Sequence, residues 1–179
     1  MEEYYTMQIA GLERKLPICP VNEHLSIAAF VMFSDVELTC AAATALIEKC
    51  PQADVIITAE SKGIPLAFEM ARQLGIRYYV ARKSTKLYMK DPIAVEVKSI
   101  TTDHLQTLYL DRNEAEAMSG KRVLIVDDVI STGESLSALE ALIGEAGGRI
   151  VGQCAVLAEG DAAERDDITY LEKLPLFFH

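Results

Sequence analysis

Val123-Leu124-Ile125-Val126-Asp127-Asp128-Val129-Ile130-Ser131-Thr132-Gly133-Glu134-Ser135 is the most informative run in this chain. Arg122 to Val126 is its most apolar strand-like segment, and a continuous apolar run predicts a strand buried on both faces. The strand ends in two carboxylates, passes through Ser131-Thr132-Gly133, and enters a helix with Leu136, Leu139, Leu142 and Ile143 on one face, which Gly147-Gly148 stops. Such a turn presents backbone N–H groups and hydroxyls at the positive end of a helix, which suits an anion. Gly133 lets the backbone curl close to a phosphate with no Cβ in the way. Asp127 and Asp128 stand about one sugar length away, at the carboxyl end of the strand where open α/β sheets bind ligands. Carboxylates accept hydrogen bonds from vicinal hydroxyls, so the run fits a ribose whose 5′-phosphate rests in the turn. Any one piece alone is commonly a solvated loop or a plain N-cap. The pieces in this order point to a ligand site.

Outward from this run, short β-branched segments alternate with helical patterns. Ser34-Asp35 predicts the cap of a helix running through Ala41, Ala42, Ala43, Leu46 and Ile47 to about Cys50, where Pro51 ends it. Asp54 to Thr58 reads as a buried strand, Ser61-Lys62-Gly63 as a turn, Ile64 to Leu74 as a helix closed by Gly75, and Arg77 to Ala81 as the next strand. Ala94 to Ile100 and Leu105 to Leu110 alternate with period two, predicting an antiparallel hairpin bent around Thr101-Thr102-Asp103. Asp111 to Gly120 reads as a polar link, Ile150 to Leu157 as a core strand, and Ile168 to Leu171 as an edge strand. This rhythm predicts an α/β fold with a mainly parallel sheet flanked by helices. No repeat, low-complexity run or Pro/Gly-rich linker divides the chain.

At 179 residues the length fits one domain with a real core. Half the residues are hydrophobic and a quarter charged, a globular composition. Seventeen Lys+Arg against 27 Asp+Glu leave a net charge of −10, which argues against a nucleic acid held by charge. No segment approaches the roughly 18 apolar residues of a membrane span. The start, Met1-Glu2-Glu3-Tyr4-Tyr5, is acidic where a signal peptide is basic, so the expected location is the cytoplasm. Cys19, Cys40, Cys50 and Cys154 have no Cys-x-x-Cys spacing and there are only three histidines, which argues against a structural zinc site.

Residues 123–135 resemble the 5-phosphoribosyl 1-diphosphate (PRPP) signature of the type I phosphoribosyltransferases, and the resemblance extends through Asp54–Lys86 and on to about Glu159. Asp54 to Gly63 resembles that family's strand and pyrophosphate loop, and Arg82-Lys83-Ser84-Thr85-Lys86 its Arg-Lys-x-x-Lys element. The long gap between Lys86 and Asp127 resembles the adenine and xanthine enzymes. Two departures stand out. The phosphate loop, often Thr-Gly-Gly-Thr, is Thr132-Gly133-Glu134-Ser135, so the Glu134 side chain is expected to turn away and offer only its N–H. Where adenine enzymes commonly have Glu-Ala-Arg-Gly, this chain has Glu60-Ser61-Lys62-Gly63; lysine keeps the charge but loses the bidentate fork.

The resemblance implies a type I phosphoribosyltransferase core (residues 37–179) with an N-terminal hood (residues 1–36) and a flexible β-hairpin loop, all in one domain. It implies transfer of ribose 5-phosphate from PRPP to a purine, adenine favoured, with release of pyrophosphate. Xanthine or another 6-oxopurine is the alternative base, and a non-catalytic PRPP-binding regulator is the alternative of another class. Glu60, Ser61, Lys62, Gly63, Arg82, Lys83 and Lys86 would meet the diphosphate, Asp127 and Asp128 the ribose hydroxyls, and Ser131, Thr132, Gly133, Glu134 and Ser135 the 5′-phosphate. Asp127, Asp128, Lys62 and Arg82 are the expected catalytic residues. Phe33 and Glu159 are candidates for the base, His104 for a loop reaching the site, and Tyr88 and Met89 for a lid. Mg²⁺ is expected through PRPP oxygens and water with no direct protein ligand. A homodimer is implied, with no nucleic acid and no membrane.

Overall fold

Buried strands and amphipathic helices alternate along the chain as the apolar runs and capping residues predict. The computed structural model describes residues 3–98 and 105–179. In chain order the elements are β1 (Tyr4–Ile9), β2 (Leu12–Asn22), β3 (Leu25–Ala28), α1 (Val36–Lys49), β4 (Val55–Ala59), α2 (Ile64–Leu74), β5 (Arg77–Ala81), β6 (Ile93–Lys98), β7 (Leu105–Leu110), α3 (Arg112–Met118), β8 (Arg122–Ile130), α4 (Glu134–Ala146) and β9 (Arg149–Glu159). A 3-10 turn (Gly160–Glu164), β10 (Thr169–Leu174) and β11 (Leu176–Phe178) follow.

The central sheet has the order β10-β9-β8-β4-β5, and every neighbouring pair is parallel. The chain moves outward from β4 to β5, then returns to the other side of β4 with β8. The strand order therefore reverses between β4 and β8, which opens a crevice at their carboxyl ends. At the amino ends the same two strands are clamped: Asp54 N–H donates to the Arg122 carbonyl at 2.8 Å, and the Arg122 Nη2 meets Asp54 Oδ1 at 2.8 Å.

Period-two alternation splits the sheet residues between two cores. Val55, Ile57, Val123, Ile125 and Ala155 face one, shared with α3, α4 and the β6–β7 hairpin. Ile56, Leu124, Val126, Cys154 and Val156 face the other, shared with α1, α2 and residues of the N-terminal strands. Those strands form an antiparallel sheet, β1-β2-β3-β11, which lends Met7, Ile9, Leu16 and Ala28 to the second core. β11 thus joins residues 176–178 to the N-terminal sheet through β3. Arg14 on β2 ties the N-terminal sheet to α1: its Nε meets Asp35 Oδ2 at 2.7 Å and its Nη2 meets Glu37 at 2.8 Å, while Asp35 Oδ1 caps the helix through the Leu38 N–H at 3.0 Å.

Two local readings change and a third holds. The predicted polar link contains α3: the Asp111 carboxylate accepts from the Asn113 N–H at 2.9 Å, and Ala115 and Met118 are buried. Seven residues are too few for a clear helical period. The strand expected to end at Val126 continues to Ile130, because Asp127, Val129 and Ile130 keep pairing with Ala155, Leu157 and Ala158 of β9. The acidic pair therefore stands on a strand. The hairpin is antiparallel, from Ile93↔Leu110 to Lys98↔Leu105, and packs on α4 with Ile93, Leu108 and Leu110 buried; Leu87 and Tyr88 before it are exposed. The predicted bend at Thr101-Thr102-Asp103 lies outside the described residues. No described helix is long and apolar enough to cross a membrane.

Candidate active site

β4 runs out at Ala59, and Glu60-Ser61-Lys62-Gly63 turns the chain into α2, whose first turn carries Pro65. This turn lies against β8 so closely that a Cβ on Gly63 would sit 2.5 Å from Thr58 Oγ1, 3.0 Å from Asp127 Oδ1 and 3.2 Å from Asp127 Cα. Only glycine fits. The contact brings Lys62 Nζ to 3.1 Å from Asp128 Oδ2, a buried oxygen that no aligned hydrogen bond reaches. An oxygen left in that state is where a polar ligand atom would gain most.

Adjacent strand residues point to opposite faces, so the two carboxylates divide the site. Asp127 borders both the turn at Ser131–Ser135 and the cavity beside Lys62, whereas Asp128 borders only the latter. Asp127 Oδ1 accepts from the Asp128 N–H at 2.8 Å. Burial, and then the neighbouring Asp128 charge, push the Asp127 carboxyl up to about 8. At neutral pH Asp127 therefore retains its proton, and a protonated carboxyl both donates to and accepts from a hydroxyl.

Where β8 ends, Val129 to Leu136 form an open cradle at the start of α4. Gly133 adopts the left-handed region (φ 81) to make the turn. The Nη1 of Arg165 would lie 2.8 Å from a Cβ at Gly133, and its Nε and Nη2 are held by Asp167 at 2.8 and 2.7 Å. The cradle thus has N–H groups, hydroxyls and a nearby guanidinium, which is what a phosphate monoester binds.

At the other end, Arg82 to Lys86 leave β5. The Arg82 backbone pairs with Tyr109 of β7 in both directions, at 2.9 and 2.8 Å. Glu60 accepts from the Lys83 N–H at 2.9 Å, and its other oxygen lies 3.3 Å from Arg82 Nη2 and 4.0 Å from Lys86 Nζ. Glu60, Ser61, Lys62, Lys83, Asp127, Asp128 and Ser135 converge on a cavity of about 410 Å³. Among the expected PRPP residues, those of the 60–63 turn, the acidic pair and the 131–135 cradle are contiguous in space, and Arg82 and Lys86 join them through Glu60.

The two base candidates separate. Glu159 ends β9, is half-buried, and has its carboxyl raised by burial while the Lys62 charge pulls it down, so it stands within electrostatic reach of the site. Phe33 lines a separate groove with Val36, Pro65 and Phe68 that shares no residue with the 410 Å³ cavity. The turn at Ser34, with φ 70, swings the chain into α1 and leaves Phe33 exposed at the edge of that groove. His104 lies outside the described residues. Three contributors escape sequence reading: Thr58 buried beneath Gly63, Tyr109 through its backbone, and Arg165, which approaches the cradle from far downstream. Only Thr58, a polar residue inside an apolar strand, leaves a local trace.

Comparison with known proteins agrees with this geometry. The phosphoribosyl transferase domain family matches residues 34–175. An adenine phosphoribosyltransferase of Rhodococcus jostii is 35% identical over 127 residues, covering 70% of this chain and 69% of the relative. A xanthine phosphoribosyltransferase of Exiguobacterium is 31% identical over 121 residues, covering 67% of this chain and 62% of the relative. The crystal structure of adenine phosphoribosyltransferase from Thermoanaerobacter pseudethanolicus superposes with a TM-score of 0.67 at 22% identity, over 79% of this chain and 84% of that one. With the strand order, the acidic pair on β8 and the cradle at α4 already in place, the match over residues 34–175 leads to one conclusion: the chain belongs to the phosphoribosyl transferase domain family.

Proposed function

We propose that this protein is a purine salvage phosphoribosyltransferase that takes adenine, transfers ribose 5-phosphate to it from PRPP, and releases pyrophosphate. The observation that carries the reading is the order of groups along one crevice: cations of the 62 and 82–86 segments, then Asp127 and Asp128, then the 131–135 cradle. That is the order diphosphate, ribose, 5′-phosphate in PRPP.

The chemistry breaks the bond from C1 to the diphosphate oxygen and forms one from C1 to a ring nitrogen of the base. Positive charge develops at C1 and negative charge on the leaving group. Lys62, Arg82, Lys83 and Lys86 meet the leaving group, and fixed cations in a cleft lower the barrier without reorganising. Asp127 and Asp128 hold the ribose hydroxyls, Asp127 as both donor and acceptor, and Asp128 offsets charge at C1. The N–H groups and hydroxyls of Ser131 to Ser135, with Glu134 contributing its backbone, fix the 5′-phosphate, so the sugar enters in one orientation. Glu159 stands on the base side of the ribose. Tyr88 and Met89, in the segment before the hairpin, exclude water from C1.

A divalent cation fits a site where the buried Asp128 Oδ2, paired with Lys62 Nζ at 3.1 Å, has no aligned hydrogen bond. Mg²⁺ would take its ligands from PRPP oxygens and water. It supplies Lewis-acid neutralisation of the diphosphate when bound. The protein works as one unit, residues 1–36 forming a hood over the 37–179 core, in a cytoplasmic homodimer without nucleic acid or membrane. A second reading, xanthine as the base, is favoured by the likeness to the Exiguobacterium enzyme.

Pyrophosphate release with PRPP, Mg²⁺ and adenine, hypoxanthine, guanine, xanthine or orotate offered separately tests the reading. Release with adenine is expected; release with xanthine alone supports the second reading; PRPP binding without release from any base makes the protein a regulator. The Asp127→Asn/Asp128→Asn double variant is expected to keep its fold by circular dichroism and lose turnover.

A further inference from the structure

Glu60 is an anion in the middle of a site built for anions. One oxygen accepts the Lys83 N–H at 2.9 Å, and the other faces Arg82 Nη2 at 3.3 Å and Lys86 Nζ at 4.0 Å. A backbone N–H, a guanidinium and an ammonium around two oxygens are what a diphosphate oxygen pair would itself require. The Glu60 N–H also donates to the Ala81 carbonyl at 2.9 Å, so its backbone is fixed to β5 whatever its side chain does.

We infer that Glu60 is an internal stand-in for the diphosphate: it holds the Arg82–Lys86 loop in its binding shape between turnovers and competes with pyrophosphate for the same cations. The inference rests on the phosphoribosyltransferase reading and gives Glu60 a positioning role in place of direct contact with PRPP. The physical reason is charge density. Arg82, Lys83 and Lys86 are three cations within five residues, and without a counter-charge they repel one another and spread the loop. With Glu60 in place the loop is ordered, but an arriving diphosphate must share Arg82 and Lys86 with a carboxylate. Ordering raises affinity and competition lowers it, so the two effects have opposite signs and separate variants resolve them.

Glu60→Gln keeps an acceptor for the Lys83 N–H and removes the charge; Glu60→Ala removes both. Titration calorimetry with magnesium pyrophosphate at fixed ionic strength reads the result, with ribose 5-phosphate as the reference ligand for the distant cradle. Glu60→Gln is expected to bind magnesium pyrophosphate roughly tenfold tighter than wild type, the gain of a released charge-assisted contact. Glu60→Ala is expected to bind it more weakly than Glu60→Gln, because the loop loses its anchor. Ribose 5-phosphate affinity stays unchanged in both. In turnover, Glu60→Gln lowers the KM for PRPP and slows product release. A glutamate that only anchored the loop would lose affinity for the ligand when its charge is removed, so pyrophosphate affinity in Glu60→Gln equal to or below wild type overturns the inference. A wild-type protein that binds no pyrophosphate overturns it as well. Tighter binding in Glu60→Gln alongside a wild type that turns over no base upholds the inference and rejects the enzymatic reading instead.

Discussion

Gly63 and Asp127 are where two strand ends touch, and each carries a different constraint. Replacing Gly63 with alanine places a methyl 2.5 Å from Thr58 Oγ1 and 3.2 Å from the Asp127 backbone, so the 60–63 turn must lift off β8. Overpacking of this kind costs about 1–3 kcal/mol. Gly63→Ala is expected to show that loss in urea denaturation and a fall in pyrophosphate release of about tenfold or more, since a displaced turn misplaces Lys62. Asp127 carries a charge constraint. Its native carboxyl titrates near 8 against an ordinary value of 3.8, so the folded state holds the extra proton between those limits. Its contribution to stability therefore falls as pH rises through that window. Asp127→Asn removes the titration, and its melting temperature relative to wild type is expected to climb from pH 5 to pH 8 while turnover is lost. A flat difference across that range would contradict the assignment. The site thus keeps a carboxyl that the ligand-free fold would rather not ionise.

Among the elements, those with strong periodicity or a buried run were legible in the sequence. α1, α2 and α4 carry apolar stripes with Asp35, Gly75 and Gly147 at their ends, and β4 and the Val123–Val126 part of β8 are fully buried, nearly all-apolar runs. The elements that escaped have weak local signals. β2 contains Pro17 and Pro20, which demote a run to non-strand when its pairing is unknown. β11 is three residues long and exists because β3 offers it an edge. α3 is held by its cap and two buried side chains. In the site, contiguous motifs were readable, whereas the Glu60 contacts and Arg165 arise from pairings across the sheet that no spacing encodes. The join of hood and core is likewise tertiary. Asp35→Ala removes the cap on Leu38 and the partner of Arg14 together, and is expected to cost about 1–2 kcal/mol in chemical denaturation. Asp35→Asn keeps the cap and should recover most of that loss.

For the molecule as a whole, the consequential feature is that one sheet feeds two cores. Ile9 of the hood and Ile143 of α4 are both fully buried, on opposite faces. Ile9→Val and Ile143→Val should each cost about 0.5–1.5 kcal/mol. Because the pair share no neighbours, the double variant should equal the sum within about 0.5 kcal/mol by urea denaturation. A larger departure would mean the sheet transmits packing strain from face to face. The single apparent midpoint expected in each case would show that the hood does not melt separately from the core.

The alternation along β8 also limits how this protein can change over evolutionary time. Val123 and Ile125 belong to one core, Leu124 and Val126 to the other, and the acidic pair continues the same count. Deleting or inserting one codon within 123–126 would exchange the contents of the two cores and turn Asp127 and Asp128 to the wrong faces in the same event. Point substitutions can therefore retune this strand one side at a time, but its length is frozen, and lineages of the fold should record replacements here and no gaps.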